Sequence, residues 1–169
     1  EILNLAAEES GFSKKVFEQN DEQRGFFKGL LRQYVPFLSD NGIYTSNFSP
    51  DSLFKFQSDA IRKAAQQGSC VFVGRCADYV LRDFDNVVNV FITASMWYRV
   101  EQILNKQKVT PQEAKRIVLQ AEGKRAAYYN YYTGKKWGNA ESYDLCVDSS
   151  VLGMLETEKL IADFIRKKF

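Results

Sequence analysis

The sequence predicts an α/β fold built on a parallel sheet, and three observations carry that reading. Short apolar runs of β type occur at Cys70-Val71-Phe72-Val73, at Val87 to Ile92 and at Leu145-Cys146-Val147. Each is followed by sequence of helical periodicity. Continuous apolar runs that alternate with helices are the pattern of parallel strands buried on both faces and joined by crossover helices. The third observation is bulk composition: 169 residues, 45% apolar and 26% charged, suit one globular domain with a sizeable core.

In chain order, Glu1-Ile2-Leu3-Asn4-Leu5-Ala6-Ala7 is helical in period from its first residue and has neither an initiator Met nor an N-cap. The expectation is that an N-terminal piece precedes it. Residues 39–49, with Gly42, Asn47 and scattered aromatics, read as a loop. Ser49-Pro50-Asp51 gives an N-cap with Pro at the first helical position, and Leu53, Gln57, Ala60, Ile61 and Ala64 mark the apolar face of a helix ending near Gly68. The first strand then runs into Gly74-Arg75.

After the second strand comes a connection of roughly fifty residues, where a compact α/β unit needs one helix, so this segment is an insertion rather than a connector. Thr110-Pro111-Gln112-Glu113 is a capping box with Pro inside it, and Ala114, Ile117, Val118 and Ala121 form the stripe behind it. After the third strand, Ser149 or Ser150 caps the last helix, with Val151, Met154, Leu155, Ile161, Ala162 and Ile165 as its apolar residues. Its Arg166-Lys167-Lys168 end complements the helix dipole.

Composition excludes several functional classes. A net charge of +2 is too small to argue for nucleic acid or a membrane as partner, and no apolar run is long enough to span a bilayer. With no histidine in the chain, His-based catalysis and His-ligated zinc are out. Cys70, Cys76 and Cys146 lack CxxC spacing and are expected as buried free thiols, which points to a reducing cytoplasm.

The residues that point to chemistry lie mostly in the insertion. Lys124-Arg125-Ala126-Ala127-Tyr128-Tyr129-Asn130-Tyr131-Tyr132 continues through Thr-Gly-Lys-Lys-Trp-Gly to Gly138. On a helix Arg125, Tyr128, Tyr129 and Tyr132 share a face, where a core helix would carry Leu and Ile. A guanidinium is always charged and its planar fork suits phosphate oxygens, so this face is a candidate for an anionic ligand. The other reading is aromatic packing, with Lys135, Lys136 and Trp137 as a solvated turn. Arg75 would emerge at the carboxyl end of a parallel strand, the edge at which open α/β sheets bind ligands. Equally, Gly74 is a tight turn and Arg75 pairs with Asp78 at i, i+3. Arg99, four residues past Ser95, is by itself a surface arginine; it gains weight because Arg75, Arg99 and Arg125 all fall near strand ends or within the insertion, as a phosphate clamp requires. The tyrosines interleaved with basic residues also fit single-stranded nucleic acid, but the near-neutral charge argues against it.

Ser69-Cys70-Val71-Phe72-Val73-Gly74-Arg75-Cys76-Ala77-Asp78-Tyr79-Val80-Leu81, taken with the Lys124 to Tyr132 block and Trp137-Gly138, closely resembles the cytidylate kinase-like family of bacterial P-loop nucleoside monophosphate kinases. The opening Glu1 to Gly11 is similar to the family segment that follows its second strand, and the resemblance covers nearly the whole chain. It implies a P-loop NTPase-type three-layer fold, with three strands of a larger parallel sheet visible here and the N-terminal strands and phosphate loop not among these residues. One kinase-like domain would span 1–169, with an acceptor-nucleotide region at 33–67 and a helical lid and crossover insertion at 94–142. The implied activity is transfer of the ATP γ-phosphoryl group to CMP, dCMP or a similar acceptor, with Mg2+. A different small-molecule acceptor, or a non-catalytic nucleotide-binding protein, are the alternatives. By resemblance Arg75 contacts the acceptor phosphate, and Arg99 and Arg125, with Lys124, close over the phosphoryl group in transit. Asp78, Gln57 and Tyr128 are the acceptor-side contacts. The magnesium ligands cannot be assigned by resemblance, since the phosphate loop that would supply them is not here.

Overall fold

The computed structural model describes residues 50–169. The helical reading of residues 1–7, the loop reading of 39–49, the Ser49 cap reading and the first part of the 33–67 region lie outside the described residues. The chain divides into two compact units, Glu1–Phe84 and Asp85–Phe169.

In the first unit, α1 (Pro50–Gln67) buries Leu53, Gln57, Ala60 and Ile61, the face its periodicity predicts. Ser58 is also buried, and its hydroxyl donates to the Phe54 carbonyl one turn back at 2.8 Å, which satisfies it without leaving the helix. The segment 70–73 is not a strand. No described residue pairs with it, Val71 and Val73 are 93% and 86% exposed, and the Cys70 thiol turns back to donate to the Ala64 and Gly68 carbonyls at the end of α1. An apolar run becomes a strand only when a neighbour supplies the ladder, and here local contacts take its first residue instead.

Gly74, Arg75 and Cys76 then adopt φ of 71°, 59° and 54° in succession, a left-handed turn into the short helix α2 (Ala77–Val80). Two of the three carry side chains, each costing about 1–2 kcal/mol in this conformation. Cys76 is buried, as are Val80 and Leu81, and α1 packs against α2. Arg82 closes the turn by donating to the Tyr79 carbonyl at 2.8 Å and lying over the Tyr79 ring.

The second unit holds β1 (Val90–Thr93), α3 (Met96–Lys106), α4 (Pro111–Thr133), a 3-10 turn (Ala140–Ser142), β2 (Leu145–Asp148) and α5 (Ser149–Lys168). The two strands pair in parallel, from Val90 with Leu145 to Thr93 with Asp148. β1 starts three residues later than the apolar run suggests, because Val87 and Asn89 are engaged otherwise: the Asn89 N–H donates to Asp144 and the Val87 carbonyl accepts from Lys168. The parallel sheet therefore has two strands among the described residues, not three.

Both strands were expected to be buried on both faces. Val147 is buried, whereas Ile92, Thr93 and Cys146 are exposed. Phe91 and Cys146 share one face. That face is covered at Phe91 by the rings of Trp137 at 5.2 Å, edge-on, and Tyr143 at 4.9 Å. Of the expected solvated turn Lys135-Lys136-Trp137, the lysines are exposed but Trp137 packs on the sheet. Of the cysteines all three are free, but only Cys76 is buried; Cys70 and Cys146 are exposed, which corrects the expectation of three buried thiols.

α3 and α4 form an interacting helix pair, and α5 packs on the strands. At the start of α4, Thr110 is the N-cap, its hydroxyl accepting from the Glu113 N–H at 3.2 Å, with Pro111 at the first helical position. Glu113 turns outward to Arg116, so half of the capping box forms. Ala114 and Val118 are buried, as the stripe predicts, and Gly134 at φ 67° ends the helix. The cap of α5 is Asp148 rather than either serine, and Gly153 at φ 76° breaks the helix near its start. That break leaves Val151, Met154 and Leu155 exposed, against their expected place on an apolar face. At the far end, Lys168 does not merely complement a dipole: its ammonium donates to Asp144.

Candidate active site

The carboxyl ends of β1 and β2 lie side by side, and each leads directly into a helix. Ser95 caps α3, its hydroxyl accepting from the Tyr98 N–H at 3.3 Å. Asp148 caps α5, accepting from the Ser150 N–H at 2.9 Å and from the Ser150 hydroxyl at 2.5 Å. Two cross-links stitch these turns together: the Ser95 N–H donates to the Ser150 hydroxyl at 3.0 Å, and the Ser149 hydroxyl donates to the Thr93 carbonyl at 3.0 Å. Two helix N-termini, with their partial positive charge, are thereby fixed at the same edge of the sheet.

Arg99 lies in the first turn of α3. Its Nη1 is 3.1 Å from Glu122 Oε1 on α4, and both side chains are about one-third exposed, at 32% and 35%. Its Nε is shielded from solvent and has no acceptor among the described residues. The Asp148 carboxyl is held below the ordinary aspartate range by the Ser150 hydroxyl first, then the Ser150 N–H, and further by the charge of Arg99. Arg99 therefore binds the carboxylate of Glu122 on the neighbouring helix while its charge reaches Asp148 at the strand end.

On α4, Lys124 is half-buried and Arg125 exposed, and Arg125 follows Glu122 by one turn at i, i+3. Tyr128 and Tyr129 are buried at 8% and 6%, and the Tyr128 ring meets that of Tyr132 at 4.8 Å between centroids, tilted by 60°. The face read as one guanidinium with three phenols is thus divided: two phenols pack inward while the guanidinium reaches solvent. The packing reading therefore describes Tyr128 and Tyr129, while Arg125 is open to solvent.

Gln57, Arg75 and Asp78 belong to the unit ending at Phe84. Gln57 is 2% exposed on α1. Arg75 is half-buried in the left-handed turn, with its Nη1 shielded from solvent, and Asp78 is half-buried in α2. Because 70–73 is not a strand among the described residues, Arg75 follows an exposed extended segment and not a strand end, which removes the positional argument made for it.

Sequence reasoning missed Glu122 and Asp148, and named Ser150 only as a possible helix cap. Asp148 was within reach, since an acid followed by two serines at the end of an apolar run is an N-cap signal at the ligand-binding edge of a sheet. Glu122 was not, because nothing in the sequence ties it to an arginine 23 residues earlier.

Among the described residues, Arg99 on a helix that starts at the carboxyl edge of a two-stranded parallel sheet marks an α/β protein with a guanidinium at that edge. A family model described as the cytidylate kinase-like family matches residues 1–151, and the chain belongs to that family. The crystal structure of an uncharacterized protein from Eubacterium ventriosum is similar, with a TM-score of 0.66 and 26% identity, over 69% of this chain and 73% of that one. No curated protein matches the chain. The family is one of kinase-type, nucleotide-handling proteins, and no helix among the described residues is long and apolar enough to cross a membrane.

Proposed function

We propose that this protein is a nucleoside monophosphate kinase that transfers the γ-phosphoryl group of ATP to CMP, dCMP or a closely similar acceptor. The observation that carries the reading is the seating of Arg99 at the carboxyl edge of the sheet, on a helix that packs against the one bearing Lys124 and Arg125. Family membership supports the reaction class. In phosphoryl transfer the protein has little covalent work to do, so catalysis rests on positioning and on neutralising the equatorial oxygens. Arg99 and Arg125 supply forked donors for those oxygens, and Lys124 a compact charge beside them. Residues 94–142 act as the lid, whose closure excludes water that would hydrolyse ATP.

The cations present fit a phosphate chain. For magnesium, the described residues contain no group of three or more Cys, Asp or Glu side chains placed to hold the ion. On the acceptor side, residues 33–67 are assigned as the nucleotide-binding region and Arg75 to the acceptor phosphate; Asp78, Gln57 and Tyr128 are each assigned as further acceptor contacts. The two left-handed residues at Arg75 and Cys76 support this, since costly backbone conformations cluster at ligand clamps. The cytoplasm, where ATP and nucleoside monophosphates meet, is the assigned compartment.

The test is a coupled assay of ADP formation by the full-length protein with MgATP across a panel of nucleoside monophosphates. CMP or dCMP is expected to give the highest kcat/KM. Turnover only with an acceptor outside that panel would replace the acceptor and keep the chemistry, and nucleotide binding without turnover would favour a non-catalytic binding protein.

A further inference from the structure

We infer that Glu122 is a positioning residue for the phosphate-holding arginines: by engaging Arg99 it fixes that guanidinium beside the helix turn that carries Arg125. The inference rests on the phosphotransfer reading above and assigns a residue that neither sequence motif nor composition singled out. Its basis is the arrangement around Arg99. Glu122 Oε1 accepts from Arg99 Nη1 at 3.1 Å across the α3–α4 contact, and Arg125 follows Glu122 by a single turn on α4. Glu122 is thus the link that relates one arginine to the other.

The plain alternative is an interhelical ion pair that only adds stability, and pairs this exposed contribute little. Two observations separate Glu122 from that role. First, the guanidinium is incompletely satisfied, since Nε is shielded from solvent without an acceptor among the described residues. A pair selected for stability alone would use Nε and Nη together in a bidentate fork. Second, Arg99 has a competing carboxylate in Asp148, which feels its charge from the end of β2. Without Glu122 the hydrogen bond that ties Arg99 to α4 is lost, while the charge of Asp148 still acts on the guanidinium. Glu122 therefore ties Arg99 to the turn of α4 that leads on to Arg125, so that both forked cations can serve one phosphoryl group.

A double-mutant cycle tests this in the full-length protein: wild type, Arg99→Ala, Glu122→Gln and the double variant, assayed for kcat and for acceptor KM with MgATP and CMP. Glu122→Gln keeps size and shape, so the fold is expected to survive, and Glu122→Asp serves as the conservative rescue. Glu122→Gln is expected to lower kcat about tenfold with acceptor KM within about threefold of wild type, since the lost interaction acts in the transition state. Glu122→Asp recovers part of that loss. In the Arg99→Ala background, Glu122→Gln has no further effect, the signature of two residues acting as one unit. Wild-type kcat in Glu122→Gln, or the same loss with and without Arg99, would overturn the inference. If the wild type turns over no nucleoside monophosphate, the phosphotransfer reading fails separately, and the same four proteins are titrated with inorganic pyrophosphate by calorimetry. The same non-additive loss of affinity is then expected, and equal affinities, or no binding by the wild type, would overturn the inference.

Discussion

The Lys168 ammonium lies 2.9 Å from Asp144 Oδ1, tying the last turn of α5 to the residue that precedes β2. The same ammonium donates to the Val87 carbonyl at 2.9 Å, and the other Asp144 oxygen accepts from the Asn89 N–H at 2.7 Å. One carboxylate and one ammonium thus hold together the amino-terminal ends of both strands and the end of the final helix.

Acid should loosen this clasp in a defined window. Burial raises the Asp144 pKa, but the Asn89 N–H and the Lys168 charge outweigh it and leave the carboxyl below its ordinary value. A folded-state pKa below the unfolded one, about 3.9, means the stabilisation is fully present above that value and is lost as pH falls through the lower folded pKa. Asp144→Asn is expected to cost about 0.5–1 kcal/mol at pH 7, given partial exposure and screening. The difference from wild type should close in urea melts below the ordinary carboxyl range; a constant difference down to the lowest pH would contradict it.

Gly138 and Gly134 both occupy left-handed backbone, at φ 75° and 67°, and differ in their surroundings. A Cβ on Gly138 would sit 3.2 Å from Phe91 Cζ, whereas one on Gly134 meets nothing within 4 Å. Gly134→Ala is therefore expected to cost about 1–2 kcal/mol, the conformational term alone. Gly138→Ala should cost more, because the Phe91 ring, held between Trp137 and Tyr143, has little freedom to move. Thermal unfolding of the two variants checks the order, and equal shifts would remove the contact term.

Thr110→Ala should destabilise the protein by about 1 kcal/mol through loss of the acceptor for the Glu113 N–H, while Thr110→Ser should be nearly neutral. Denaturant titration distinguishes the two.

Thiol reactivity offers a check that is independent of activity. Cys70 and Cys146 are exposed and Cys76 is buried, so two thiols should react with a chromogenic disulfide reagent under native conditions, and the third only on unfolding. Three fast thiols would mean that the turn at Gly74 to Cys76 opens readily.

What was legible in the sequence is what local chemistry decides. The Thr110-Pro111 start, the Gly134 stop and the buried face of Leu53, Gln57, Ala60 and Ile61 follow from capping and from a 3.6-residue period. Elements whose identity depends on a distant partner were misread or unseen. Cys70 to Val73 has strand composition, but the ladder that would make it a strand is absent among the described residues. Asp148 displaced Ser149 and Ser150 as the cap because the parallel register with Thr93 carries β2 through to Asp148, a nonlocal choice among three adjacent capping residues. Arg99 with Glu122 and Asp144 with Lys168 are pairs more than twenty residues apart, and charge type alone selects no partner at that range. The candidate site was therefore visible as a set of arginines and invisible as a geometry.

The central claim is tested most directly by measuring MgATP-dependent ADP formation with CMP by the full-length wild type and by Arg125→Ala in the same coupled assay, with circular dichroism to verify the fold. The account predicts CMP-dependent turnover by the wild type and a kcat at least about tenfold lower for a folded Arg125→Ala, as expected for loss of a cation that meets the phosphoryl group in transit. Near-normal turnover of Arg125→Ala, or no nucleotide-dependent ADP formation by the wild type, would contradict it.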